Sequence, residues 1–200
     1  MMFQRRSVIA LAMGAVMGLM APSAMALSQD EARAHVEKTI AELKSLLSKS
    51  GTSASRAPDL RKIMESRANL PLIAKFSAGR AWRDMNDGQQ SRFTEAFAHF
   101  VSNTYARRFD EYSGDPQIEI GKTVDAGRKG ILVETLMSQA SGQPIVVEWL
   151  VSDRGGRVEI VDMVVEGISM AVTQREEVGA MLDKRGGDVE ALIADLESST

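Results

Sequence analysis

Two histidines, two carboxylates on one predicted strand and a serine that follows a glycine are the residues of this chain whose types could do chemistry. Nucleophilic catalysis needs a base beside a nucleophile, yet the chain has no Cys, and His35 and His99 both fall inside predicted helices. His99 stands one turn after Glu95 and one before Asn103, the spacing of a helix-surface pair or an orienting network. Ser169 follows Gly167 but lacks the flanking pattern of a nucleophile elbow. Two His without Cys do not build a zinc site, and no GxxxxGK[ST] run cradles a phosphate. Asp162 and Glu166 share a strand face and leave open the acid-base pair of a small lyase or isomerase. The structural roles weigh more: Asp162 bonding loop amides or an arginine such as Arg83 or Arg175, and Glu166 fixing the turn at Gly167. No catalytic residue, metal or cofactor is assigned.

The elements that must position these residues fall into a helical first half and a strand-rich second half. Ser28-Gln29-Asp30-Glu31 is a capping box, opening a helix with Val36, Ile40, Leu43 and Leu47 at helical spacing and ending at Ser50-Gly51. Residues 50–57 read as a small-residue linker before Pro58, and a short helix with Leu60, Ile63 and Met64 follows. Residues 71–79 form the next helix, with Pro71 at its first turn and Gly79 at its end. Asn86, with Gln89 three residues on, caps the longest helix, 87–112, whose Phe93, Phe97, Phe100, Val101, Thr104 and Tyr105 make a bulky stripe.

After Gly114 the period changes to two. Strands are predicted at 117–122, 130–139, 143–152 and 157–166, with Gly-containing turns at Ala140-Ser141-Gly142 and Asp153-Arg154-Gly155-Gly156, and helices at 173–184 and 188–197. Short loops imply an antiparallel meander, and strands segregated from helices make the fold α+β. One strand face holds Ile131, Val133, Thr135, Met137, Ile145, Val147, Trp149, Val151, Val161, Met163 and Val165 and is almost wholly apolar. The other carries Glu134, Glu148 and Asp162 among Leu and Val, so both faces read as at least partly covered. A closed core and an apolar cavity beneath the aromatic stripe both remain open on this pattern.

The first 26 of the 200 residues stand apart. Arg5-Arg6, an apolar run from Val8 to Met20 and Ala24-Met25-Ala26 have the order of a secretory signal cut after Ala26, which implies export. Removing its two arginines takes the formal net charge from −3 to −5. Residues 27–200 are then one domain, large enough for a real core, and without Cys that core must supply the stability. The acidic balance argues against nucleic acid as a partner.

Ala81-Trp82-Arg83, Gln89-Gln90-Ser91-Arg92-Phe93 with Phe97, Thr104-Tyr105, the block Asp162 through Ser169, Arg175 and Gly187 through Ile193 together resemble the toluene-tolerance or MlaC-type periplasmic lipid carriers. The resemblance runs from about 30 to 197, and Asp162 through Ser169 is its most specific stretch. Trp149-Leu150 departs from it, where the family more often shows an aromatic followed by a basic residue.

The resemblance implies an NTF2-like cone: a curved antiparallel sheet of about four strands packed with N-terminal and C-terminal helices around an apolar lipid cavity. It implies a monomeric, non-enzymatic periplasmic carrier with a diacyl phospholipid as cargo. The carrier would shuttle between an inner-membrane MCE-domain/ABC transporter complex and an outer-membrane lipoprotein-porin complex, maintaining outer-membrane lipid asymmetry. Hopanoid-associated members of the family leave a polycyclic lipid open as cargo. With the strand faces above, it places the lipid against Phe93, Phe97, Phe100, Val101, Tyr105, Val133, Met137, Val147, Trp149, Val161, Met163 and Val165. Trp82, Arg83, Asp162, Glu166, Gly167, Ser169 and Arg175 are left as structural motif residues.

Overall fold

The computed structural model describes residues 27–111, 117–138 and 142–199. The leader expected over 1–26 and the first residues of the predicted turn at 140–142 lie outside them. Helix α1 (Gln29–Leu47) begins where the capping box places it: the Ser28 hydroxyl accepts the Glu31 N–H, and the Glu31 carboxylate accepts the Ser28 N–H at 2.9 Å. The Ser28 hydroxyl also donates to the Glu31 carboxylate at 2.7 Å, and this bond, with that from the Ser28 N–H, holds the Glu31 carboxyl below the usual range. Ala32, Val36, Ile40 and Leu46 are buried on one side of the helix.

Helix α2 (Ser53–Arg67) corrects the expected linker, since residues 53–57 are already helical. Thr52 supplies the cap by accepting the Ser55 N–H, which lets a Ser/Ala run join the helix, and Pro58 is carried inside it at the loss of one backbone donor. Helix α3 (Leu70–Ala78) has Pro71 in its first turn and stops at Gly79. After the single turn α4 (Ala81–Asp84), α5 (Asp87–Glu111) starts with a reciprocal cap, Asn86 Oδ1 accepting from Gln89 N at 2.9 Å and Gln89 Oε1 from Asn86 N at 3.0 Å.

The second half is an antiparallel meander in sequence order: β1 (Ile118–Asp125), β2 (Ile131–Met137), β3 (Ile145–Ser152), β4 (Glu159–Val165) and β5 (Ile168–Ser169). The fifth strand exceeds the four expected and is only two residues long. Glu166 and Gly167 join it to β4 with φ of 50° and 80°, and Val165 pairs with Ile168. Two positive φ values in a two-residue loop are what a type I′ hairpin turn requires. Helices α6 (Met170–Lys184) and α7 (Val189–Glu197) follow, α6 opening three residues earlier than expected because Ser169 caps it through the Val172 N–H.

Two irregularities curve the sheet. Ile120 pairs with Thr135 and Thr123 with Val133, so Gly121 and Lys122 together oppose Glu134. Val151 pairs with Ile160 and Leu150 with Asp162, so Val161 is the extra residue of a bulge. The bulge corrects the face expected for Val161. Ile160, 6% exposed, takes the inner position between Val151 and Met163, and Val161 is left half-buried.

The buried residues form separate bodies. A helical core joins Leu70 and Ala74 of α3, Phe93, Ala96 and Phe97 of α5, and Leu192, Ile193 and Leu196 of α7. Trp82 meets Phe93 edge-on at 6.3 Å, and Phe93 stacks on Phe97 at 6.1 Å. A second cluster seats Ala32, Val36 and Ile40 of α1 on Ile131, Val133, Val151 and Ile160 of the sheet. A third ties Leu46, Ala57, Leu60 and Ala106.

Candidate functional site

Between these clusters the apolar surfaces do not close. A cavity of about 970 Å³ runs between the inner sheet face and helices α1, α2, α5 and α6. The sheet contributes Thr135, Met137, Ile145, Val147, Trp149, Ile160, Met163 and Val165, α5 contributes Phe97, Val101 and Tyr105, and α1 and α2 contribute Ile40, Leu43, Leu47, Leu60, Ile63 and Met64. The polar atoms of the sheet wall are satisfied among themselves, Trp149 Nε1 donating to Thr135 Oγ1 at 3.1 Å and Thr135 Oγ1 donating to the Val147 carbonyl at 3.1 Å. The wall therefore presents carbon to the space it encloses.

Charged side chains line the cavity at the C-terminal ends of α1 and α5, the start of α2 and the β4–β5 turn. Lys44, Arg56, Arg108, Glu166 and the 60% exposed Ile168 line the cavity there. Arg67, also on the wall, donates from Nε and Nη2 to the two oxygens of Glu42, which lowers the Glu42 carboxyl and raises the Arg67 guanidinium. Arg108 lies over the Tyr105 ring, Cζ 5.4 Å from its centre. Burial pushes the Tyr105 phenol up, against the pull of Arg108.

Of the twelve residues assigned to lipid from the sequence, the structure brings Phe97, Val101, Tyr105, Met137, Val147, Trp149, Met163 and Val165 together on the cavity wall. The other four stand elsewhere. Phe93 and Phe100 belong to the helical core, because α3 and α7 cover the side of α5 on which they lie. Val133 is sealed under α1, and Val161 is displaced by the bulge. The helical wall from α1 and α2 was missed, although its signal was present in the Leu43–Leu47 and Leu60–Ile63–Met64 spacing.

The motif residues hold the cone together. Asp162 accepts the Ser169 hydroxyl at 2.6 Å, the Met163 N–H at 2.8 Å and the Ala171 N–H at 3.0 Å. It bonds amides as expected and neither arginine: Arg83 is exposed on α4, while Arg175 lies 5.1 Å over Phe76. Glu166 and Gly167 form the hairpin turn, where Glu166 Oε1 takes the Val146 N–H and the Glu166 N–H donates to the Val146 carbonyl. Asp162 and Glu166 thus sit in separate networks. Trp82 closes the core with Phe93 and gives its carbonyl to Gln90 Nε2. His99 Nε2 lies 2.9 Å from the Ser199 carbonyl, which also accepts from Asn103 Nδ2, so this histidine tethers the chain's last turn.

Among the described residues no three His, Cys, Asp or Glu side chains come together to hold a metal, and no helix is long and apolar enough to cross a membrane. An α+β cone with a meandering sheet, and an apolar cavity with charged residues on part of its lining, defines a class of protein built to enclose a chain-like apolar ligand. The MlaC protein family model matches residues 33–198, and the chain belongs to that family. A phospholipid-binding protein from Ralstonia solanacearum, solved in complex with a phospholipid, shares the fold. It is 18% identical, with a TM-score of 0.65 over 84% of this chain and 96% of the other.

Proposed function

We propose that the protein binds a diacyl phospholipid and carries it through the periplasm. The observation that supports this most is the cavity's size and surface together. At the ~30 Å³ that a water-sized group occupies, 970 Å³ accepts roughly thirty heavy atoms, close to two acyl tails. Each buried methylene contributes about 0.8 kcal/mol, so a pocket that takes both tails offsets their removal from a bilayer. The charged side chains of the lining give the phosphate cationic partners where it leaves the apolar wall. The phospholipid complex of the Ralstonia protein supports the same reading.

On this reading the leader is removed after Ala26, and the mature protein acts as a monomeric shuttle rather than an enzyme. It passes lipid between an inner-membrane MCE-domain/ABC transporter complex and an outer-membrane lipoprotein-porin complex, and so keeps the outer membrane asymmetric. Native mass spectrometry of protein purified from cells, followed by organic extraction, tests the cargo. The expected result is about one diacyl phospholipid per chain. A polycyclic lipid would move the cargo to the hopanoid class, and lipid-free protein that takes up nothing from vesicles would end the carrier reading.

A further inference from the structure

Where the cavity wall turns polar, one acceptor has nothing to accept. Gln174 of α6 is 3% exposed and lines the cavity. Its Nε2 donates to the Glu177 carboxylate at 3.4 Å, while its Oε1 is buried and receives no hydrogen bond among the described residues. The Tyr105 hydroxyl stands beside this amide, and Arg108 follows almost one turn further along α5. The acid in this stretch of wall, Asp162, has its oxygens engaged by Ser169 and two backbone amides, so it does not supply the donor. A buried acceptor left unmade carries its full desolvation penalty, and a ligand that brings an N–H or O–H removes it.

We propose that Gln174, Tyr105 and Arg108 form a head-group notch that favours phospholipids whose head carries a hydrogen-bond donor beside the phosphodiester. The inference rests on the carrier reading and names which lipids that site prefers. With the tails along Phe97, Val101 and Met163, the glycerol and phosphate emerge past Tyr105. Arg108 then takes a phosphate oxygen, the Tyr105 hydroxyl donates to an ester or phosphate oxygen, and Gln174 Oε1 accepts from the head group. A glycerol head offers hydroxyls and an ethanolamine head an ammonium. A choline head offers neither, because its quaternary nitrogen has no hydrogen. The cations of the lining add a preference for the anionic glycerol head over the zwitterionic ethanolamine one.

Delipidated mature protein is incubated with vesicles holding equal amounts of phosphatidylglycerol, phosphatidylethanolamine and phosphatidylcholine with identical tails, repurified, and its bound lipid read by native mass spectrometry. The expected order is glycerol over ethanolamine over choline, with choline about ten-fold under-represented, the ratio that one unmade buried hydrogen bond sets. Gln174→Leu brings choline to within about two-fold of ethanolamine. Arg108→Gln, at an exposed position where folding is not at stake, shrinks the preference for glycerol over ethanolamine. Equal loading of the three lipids, or an unchanged ratio in Gln174→Leu, overturns the notch. Should that variant fail to fold, an unchanged ratio in Arg108→Gln overturns it instead. Failure to load any of the three lipids is a different result, which removes the carrier reading beneath the notch.

Discussion

Helix α5 uses one amphipathic pattern for two opposite purposes. In its first half Phe93 and Ala96 are sealed by α3, α4 and α7 into a core with essentially no exposure. In its second half Val101, Tyr105 and Arg108 line the cavity: α2 packs on the neighbouring Ala106, but the sheet on the far side stands back. The residue types hardly differ between the halves. What differs is whether a facing element fills the space, so an apolar stripe becomes core or binding wall according to what the rest of the fold brings to it.

Truncation should separate the two halves of α5 by the largest margin. Phe93→Ala, which opens a hole in a filled core, is expected to cost about 3–5 kcal/mol. Val101→Ala only enlarges a space that already exists, and is expected to cost about 1–2 kcal/mol from the lost methyl groups alone. Denaturant melts of the two delipidated variants measure the difference. Equal costs would mean that the cavity is filled by protein in solution.

A smaller effect is expected where the sheet hands over to α6. Ser169→Ala removes both the helix cap and a donor to Asp162, and should cost about 1 kcal/mol. Because Asp162 lines the cavity, the same variant should also loosen lipid retention, which off-rates from loaded protein would show. Unchanged stability and retention would make the Asp162–Ser169 bond incidental.

The smallest expected effect is in the pH response of Tyr105. Burial raises its pKa above the unfolded phenol's ~10. A raised folded value means the native state holds the proton longer than the unfolded chain does. The stability this brings is complete below about pH 10 and is lost as pH rises through the folded value. Ultraviolet titration should show a late phenolate that disappears in Tyr105→Phe. A Tyr105 phenol that ionises at the ordinary pH would place it in water rather than on the wall.

The meander was legible because strand period and Gly turns are local signals, and so were the caps at Ser28, Asn86 and Gly79. Parity along a strand carried Val147, Trp149, Met163 and Val165 to the inner face correctly. It failed at Val161, because a bulge shifts the alternation without marking the sequence. Strand β5 is too short to show a period, and the start of α2 was hidden by Ser and Ala residues that serve linkers and helices alike. Phe93 and Phe100 could not be told from wall residues on their own helix, since only α3 and α7 decide which side is covered. The α1 and α2 wall was written in the sequence as an ordinary helical stripe, with nothing local to say that its opposite side would stay empty.

Whether the inner sheet face borders open space for lipid is read out by one pair of substitutions. Val147 lines the cavity, while Val133, on the neighbouring strand and the same face, is sealed under α1. Val147→Trp should fill space that is free, leave the melting temperature of delipidated protein nearly unchanged and abolish phospholipid uptake from vesicles. Val133→Trp should overpack its cluster by about 1–3 kcal/mol or more. If Val147→Trp instead melts as early as Val133→Trp, and each folded molecule still takes up lipid as the unaltered protein does, the cavity assigned here is not the lipid site.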